Sequence, residues 1–542
     1  ILVATLISFI FFIGYDFLYL QPQQQLLEQQ KKEQLAKEQA TKSIEINSSV
    51  TTPSANTVQT SLTNTQVEAN AAPVVQVNDA NEIISIIKTK TSQIEIDSLG
   101  RIAQVTLTSN RYQDEEHHAI KLFTADQLRP LEVRFMDVAL NNEAFKVKVI
   151  ASSKELDASV SPVTLTLTQT LAKTTLTKTI TFYPNGNYDL DIATSTKQNY
   201  FLTPGFRPNV IVDAYADHGA LLIKNDGTLN IVEDGDLEKN SDFVGMQAVS
   251  AFDRYYATAL YNFDKNLQVT LMNDNNSDPQ AFIHVMNELK LHGYVGPKEY
   301  KTLDALDSRL TGIIEYGWFT FIAKPMFSML DYIHGYVGNW GWTIVILTIL
   351  VKLILLPLSH KGMVSMNRLK ELAPKIKAIQ EKYSDDKQKA SMHMMELYKK
   401  EGANPMGGCL PILLQIPVFF AIYRVLINAI ELKGSGWILW IEDLSVMDPY
   451  FILPILMGAT MYIQQKITPM QVQDEIQAKI FQWLPVVFTV FFLWFPAGLT
   501  LYWFINNLVT VSQQYYVNKM FQAEKEKRHE EHLATKHTKK EK

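Results

Sequence analysis

Lys352 and Thr348 are the residues of this 542-residue chain best placed to do chemistry. Both lie in GWTIVILTILVKLILLPL (341–358), a run otherwise apolar enough to span a membrane. A charge in hydrocarbon is costly, so it faces a polar cavity or a partner rather than lipid. Thr348 precedes Lys352 by four residues, and helical geometry sets hydroxyl and ammonium on one face. Such a stripe can hold an anionic or hydrogen-bonding group partway across a bilayer. A second reading stands beside it. Lys352 lies nearer the end carrying Ser359, His360 and Lys361, and its four-carbon stem can snorkel there as a plain anchor.

Other chemistries lack their residues. Cys409 is the single cysteine, which excludes an intramolecular disulfide and a cysteine-based zinc site; within GGCLPILLQIP it reads as a packing residue. His117 and His118 are neighbours in a charged loop and would point opposite ways if extended, so they read as surface residues rather than metal ligands. No paired aspartates, Ser–His dyad or HExxH lies in the apolar runs, and GANPMGGC lacks the lysine of a phosphate-binding loop. No enzyme activity, metal or cofactor is therefore expected. The formal net charge of −6 and the lack of a basic helix with interleaved aromatics argue against direct DNA binding.

The elements that must position Lys352 follow from a division in the chain. Overall, 47% of residues are hydrophobic and 20% charged, but the apolar runs concentrate after Trp318. The chain starts at Ile1 rather than Met, so a few N-terminal residues are expected to be missing. Residues 1–20, interrupted only by Asp16 and followed by no small-residue cleavage site, read as an uncleaved transmembrane signal anchor. Residues 21–81 are polar and nearly free of aromatics, which predicts a flexible tether in which 21–40 forms at most a transient helix.

Residues 82–310 change to period two. SQIEIDS, RIAQVTLTS, VTLTLTQT and LTKTITFY alternate apolar with polar, and YPNGNYDLDI places an Asn-Gly turn between strands. Many such runs predict a large antiparallel β-sandwich, with a short helix over 282–291 packed on it. Residues 311–338 read as an amphipathic interfacial helix broken by Pro325, with Trp318 and Trp340 at headgroup depth. Five further spans are expected at 339–358, 408–430, 449–465, 479–495 and 498–517. Pro496-Ala497-Gly498 turns the last two into a hairpin. Several spans are short for a bilayer core of about 30 Å, which thinning of the local membrane would accommodate.

Charge orients the spans. The loop 359–407 and the tail 518–542 are rich in Lys and Arg, whereas the loop 431–448 is acidic; a short polar loop covers 466–478. Positive charges favour the cytoplasm, which places both termini inside and the sandwich in the periplasm. In 359–407, MNRLKELAPKIKAIQEKY and DKQKASMHMMELYKKEG carry helical periodicity on either side of Ser384-Asp385-Asp386. They predict a cytoplasmic helical hairpin, with Ser384 or Asp385 capping its second helix.

These motifs resemble a known family. NWGW, KASMHMMELYKKEGANPMGGCLPILLQIPVFFAIY, DPYFILPILMGATM and PVVFTVFFLWFPAGLTLYWFINNLVT together look like the YidC family of bacterial membrane protein insertases. The likeness covers about residues 316–517, and the outer sandwich is similar to the periplasmic domain of Gram-negative members. It implies a polytopic α-helical inner-membrane protein with six transmembrane helices, five of them forming a core around a hydrophilic groove. The family's groove charge is normally an arginine. Lys352 occupies that position here, which keeps the charge but loses the planar bidentate fork. Thr348, Gln415, Tyr502, Trp503 and Asn506 carry over as groove residues. The resemblance also implies nascent membrane proteins as substrates, work alone or beside the Sec translocon, ribosome contact through the basic hairpin and tail, and contact with membrane lipids. The rival reading is a secondary transporter or channel with Lys352 as solute or proton site; against it stand the lack of an internal repeat and the reading of Lys352 as the one strong charge within the spans.

Overall fold

The structure is a computed structural model that describes residues 82–109, 111–113, 118–210, 217–274, 276–401, 410–468 and 475–540. The expected anchor, the tether, His117 and Cys409 lie outside the described residues.

The period-two runs form strands as expected. The strand Thr175–Phe182 buries every second residue and pairs antiparallel with Asn187–Thr194 across the Asn-Gly turn, where Gly186 adopts φ +84°. Among the described residues two sheets result, one of four strands and one of thirteen. They share a core in which Ile87, Ile94 and Val105 of the small sheet meet Leu165, Ile180 and Leu190 of the large one. The strand Ser241–Phe252 pairs with Leu267–Asn273 over its first half and with Tyr256–Tyr261 over its second. Its register shifts around Gly245, at φ +77°, so one hydrogen-bonded sheet turns from one part of the domain to the other.

Two expectations for this domain are corrected. The sheets are not wholly antiparallel, since Ile83–Lys88 pairs parallel with Glu155–Asp157. The helix expected over 282–291 is two strands, Pro279–Met286 and Glu288–Pro297, separated by Asn287 at φ +68°. Asparagine tolerates that conformation, and the two strands bond different neighbours, which overrides the local helical spacing. Alternation also places Lys178 inside. Its ammonium donates to the carbonyls of Gly100 at 2.8 Å and Leu131 at 2.7 Å, and burial lowers its pKa to about 7.

Nine helices are described: α1 (Val138–Ala144), α2 (Tyr300–Leu306), α3 (Thr320–Val337), α4 (Trp340–Lys382), α5 (Lys387–Lys400), α6 (Leu410–Asn428), α7 (Ile452–Ile467), α8 (Glu475–Phe491) and α9 (Ala497–Lys540). Among the described residues α4 alone is long and apolar enough to cross a membrane, while Gln415–Asn428 and Lys479–Trp494 are shorter apolar stretches. The boundary expected at 358 falls inside α4. This helix of 43 residues runs through Pro357 and Pro374 and supplies the first arm of the expected hairpin. Asp386, rather than Ser384 or Asp385, caps α5 by accepting the Lys389 N–H at 3.0 Å. Leu372 and Ile376 of the first arm pack on Met394, Leu397 and Tyr398 of the second. α9 likewise continues past the expected end at 517, and Lys525 and Arg528 approach Glu371 of α4 at 3.5 and 3.8 Å.

Pro325 does not break α3, which is continuous and buries Ala323, Met326, Phe327, Leu330 and Ile333 at three- and four-residue spacing. Trp318 is 96% exposed, but Trp340 is buried, with its ring stacked 3.8 Å from that of His334.

The second face of the large sheet packs directly on the helices, with Leu221, Phe252 and Tyr261 in one cluster with Phe327, Ile344 and Leu426. Polar groups of the β domain finish the C-terminal end of α6. The Arg254 guanidinium donates to the Ile427 carbonyl at 2.8 Å, and Arg111 donates to Ile430 and Lys433 carbonyls at 3.2 and 3.4 Å. Cations at carbonyls left over by a helix are favourable in both charge and hydrogen bonding. Glu431, in the same junction, accepts the Tyr300 N–H at 2.9 Å. Its burial pushes the carboxyl up to about 7, which the Tyr300 contact only partly offsets. A carboxyl raised on folding stabilises fully below its unfolded value of 4.5 and loses that contribution as pH rises through about 7. Thermal unfolding should therefore occur at lower temperature near pH 8 than near pH 5, and Glu431→Gln should flatten that slope. Identical slopes in the two proteins would contradict this role for Glu431.

Candidate functional site

The candidate site is a polar stripe where α4, α6 and α9 meet. Lys352 is 8% exposed, and its ammonium donates to Thr510 Oγ1 of α9 at 2.9 Å. The Thr510 hydroxyl donates in turn to the Asn506 carbonyl at 2.7 Å, which turns its lone pairs toward the ammonium. Among the described residues no carboxylate forms an ion pair with Lys352. A buried ammonium held only by a neutral hydroxyl retains most of its attraction for an incoming anion.

The other residues expected from the sequence divide into two groups. Asn506 accepts from Gln415 Nε2 at 3.2 Å, which ties α6 to α9 beside Thr510. Thr348 lies one turn from Lys352 as expected, but it is 1% exposed and its hydroxyl is bound to the Ile344 carbonyl at 2.7 Å. Tyr502 is almost wholly buried in the helical core. Trp503 is half-buried against an aromatic wall, 4.5 Å from Phe419, 5.2 Å from Phe492 and 6.1 Å from Phe488 between ring centres.

Sequence reasoning missed Thr510, Gln514 and Asn518. With Asn506 they repeat every four residues along α9, so they fall on one helix face. Gln514 donates to Asn518 at 2.7 Å, Asn367 of α4 donates to Asn518 at 2.8 Å, and Asn518 donates to the Ile467 carbonyl at 3.0 Å. Asn507 Nδ2 and Gln513 Oε1 are buried without a protein hydrogen bond. Buried polar atoms of this kind are ordinarily satisfied by water. The four-residue repeat was the available signal, hidden because the apolar residues between dominate the hydropathy.

One expectation is corrected here. Lys352 is not the one strong charge in the apolar helices, because Arg424 lies within α6. Arg424 pairs with Asp217 at 2.7 Å and approaches Glu315 at 3.6 Å, so its charge is answered by carboxylates of the junction. Lys352, by contrast, has only the Thr510 hydroxyl among the described residues.

The fold and site define a chain with a large β domain packed on apolar helices, one of them long enough to cross a membrane, that carry a lysine-bearing polar stripe. Two family models match the chain, the 60Kd inner membrane protein over residues 332–526 and the YidC periplasmic domain over 213–329. A Campylobacter jejuni protein named membrane protein insertase YidC is 51% identical over 532 residues, covering 97% of both chains. Proteins of the same name from Wolinella succinogenes and Helicobacter pylori are 46% and 44% identical, each match covering 97% of this chain and 95% and 96% of the relative. The chain belongs to the YidC family of membrane protein insertases.

Proposed function

We propose that this protein is a non-enzymatic insertase and chaperone of the bacterial inner membrane that guides nascent transmembrane segments along the Lys352 stripe into lipid. The observation that carries the reading is the Lys352 ammonium, bound to Thr510 and to no carboxylate among the described residues. Polar groups without partners in hydrocarbon cost several kcal/mol each, by order of magnitude. A hydrated stripe shortens that barrier for a short acidic segment, and Lys352 attracts it transiently. The apolar part of the substrate then leaves past Trp503 and its aromatic wall, driven by its own burial in lipid.

In this reading the expected six spans hold, five form the core, both termini are cytoplasmic and the β domain is periplasmic. The α4–α5 hairpin and the α9 tail meet the ribosome through their basic residues, and larger substrates are handled beside the Sec translocon. The names of the relatives support the insertase activity. The rival, a transporter or channel using Lys352 as solute or proton site, makes an opposite demand on a purified system.

Proteoliposomes carrying the full chain alone separate the two. A small membrane protein with an acidic translocated tail should insert far more efficiently than into empty liposomes, without a proton or solute flux. Flux without insertion would favour the transporter.

A further inference from the structure

A cavity of about 360 Å³ lies at the junction, between the β domain, the start of α3 and the end of α6, outside the polar stripe. Among the described residues Asp217, Glu233, Asp236 and Glu315 line it together with one guanidinium, that of Arg424. Glu315 is 6% exposed; its Oε1 accepts the Gly317 N–H, while its Oε2 has no hydrogen-bond partner within 3.5 Å, and burial beside Asp217 raises the carboxyl's pKa. The cation nearest to that oxygen is Arg424 at 3.6 Å, and Arg424 is already held by Asp217 at 2.7 Å. The buried Lys298 adds a second cation nearby, but Asp253 shares it. Among the described residues the lining therefore stays acidic, with the buried carboxyl of Glu315 at its base.

Its chemistry narrows the ligand. Among the described residues no group of three His, Cys, Asp or Glu side chains could hold a metal ion, so a bare divalent cation does not fit. Carboxylates spread around a larger space, beside aromatic rings, suit an organic ammonium. The rings are Trp318, which is 96% exposed, and Phe319, stacked on Phe420 of α6 at 5.9 Å. Phe420 is itself 38% exposed on a helix read as crossing the membrane, so the cavity opens where lipid headgroups would lie.

We infer that this cavity binds the headgroup of an aminophospholipid such as phosphatidylethanolamine. The ammonium is taken by Glu315 and its acidic neighbours, and the acyl chains run along the Phe420 face of α6. A lipid held this way ties the β domain to the membrane at the point where α6 ends. The inference rests on the reading of α6 as a membrane span.

The test is native mass spectrometry of the full chain in detergent with equimolar phosphatidylethanolamine, phosphatidylcholine and phosphatidylglycerol. Wild type should retain phosphatidylethanolamine about tenfold better than either of the others. Glu315→Gln should bring the three toward parity. Because Glu315 is buried, the exposed pair Glu233→Gln/Asp236→Asn serves as a second variant that leaves the Arg424–Asp217 pair intact, and it should weaken the preference at an unchanged melting temperature. Equal retention of all three lipids by wild type, preference for phosphatidylglycerol, or a preference unmoved in the second variant overturns the inference. Phospholipid retained without headgroup selection, or no phospholipid retained, sinks the inference alone, whereas a full chain that stays soluble without detergent or lipid sinks the membrane reading of α6 with it.

Discussion

Lys352→Glu should abolish insertion of substrates whose translocated segment is acidic, while Lys352→Arg should retain most of it. An ion pair formed at about 4 Å is worth on the order of 4 kcal/mol at an effective dielectric of 20, and each 1.4 kcal/mol corresponds to about tenfold in rate. Desolvation of the incoming carboxylate offsets part of that gain, so Lys352→Met should lower insertion about tenfold or more rather than by the full Coulomb figure. Met keeps the unbranched stem and its packing, which separates loss of charge from loss of fold. The substrate series decides the interpretation. A substrate with a neutral translocated tail should lose little in Lys352→Met, because it never used the ammonium. Arginine restores the charge and can also reach Thr510, so its phenotype should be the mildest. Equal losses for acidic and neutral tails would make Lys352 a structural anchor.

Gly341→Ala should destabilise the helical core although it replaces glycine by the best helix former. Helix propensity alone favours alanine by about 1 kcal/mol. At this position, however, a Cβ would sit 2.3 Å from Cδ1 and Cγ of Trp437 and 2.5 Å from its Cβ. These are atoms at the root of a ring rather than the end of a flexible chain, so the loop carrying Trp437 must lift. That loop is bound to the start of α4, since Asn339 donates to the carbonyls of Gly436 and Trp437 at 3.2 and 3.1 Å. Overpacking costs about 1–3 kcal/mol, and the broken cap contacts add to it, so the clash outweighs propensity. The melting temperature of the full chain should fall in Gly341→Ala and fall further in Gly341→Val. In a cycle with Trp437→Gly, which removes the ring and the Cβ 2.5 Å away, the penalty of Gly341→Ala should largely vanish; additive losses would show that Trp437 is not what opposes the added methyl.

The sequence made some of these features legible and hid others for physical reasons. Alternating runs such as VTLTLTQT report strands because period two is imposed by the pleat itself. The parallel pairing of Ile83–Lys88 with Glu155–Asp157 was not legible, since three residues of edge strand carry no signal for their partner. Asn287 looked helical because its neighbours share a helical spacing, and only the long-range pairing of its two strands decides otherwise. Lys352 stood out at once, as a charge among aliphatic residues. Its partner Thr510 did not, because a threonine in an apolar helix commonly bonds its own backbone, as Thr510 also does. Arg424 was passed over inside an otherwise apolar run, and its carboxylate partners Asp217 and Glu315 are far away in the chain.

Site-specific photocrosslinking to ribosome-stalled nascent chains of a small membrane protein tests the central claim most directly. Probes belong at Trp503 and Thr510 on the polar and aromatic face of α9, with a control at Ile354, which is 72% exposed on α4. Crosslinks from Trp503 and Thr510 but not from Ile354 are expected if the Lys352 stripe guides the substrate. Efficient insertion with no crosslink from either probe would contradict it.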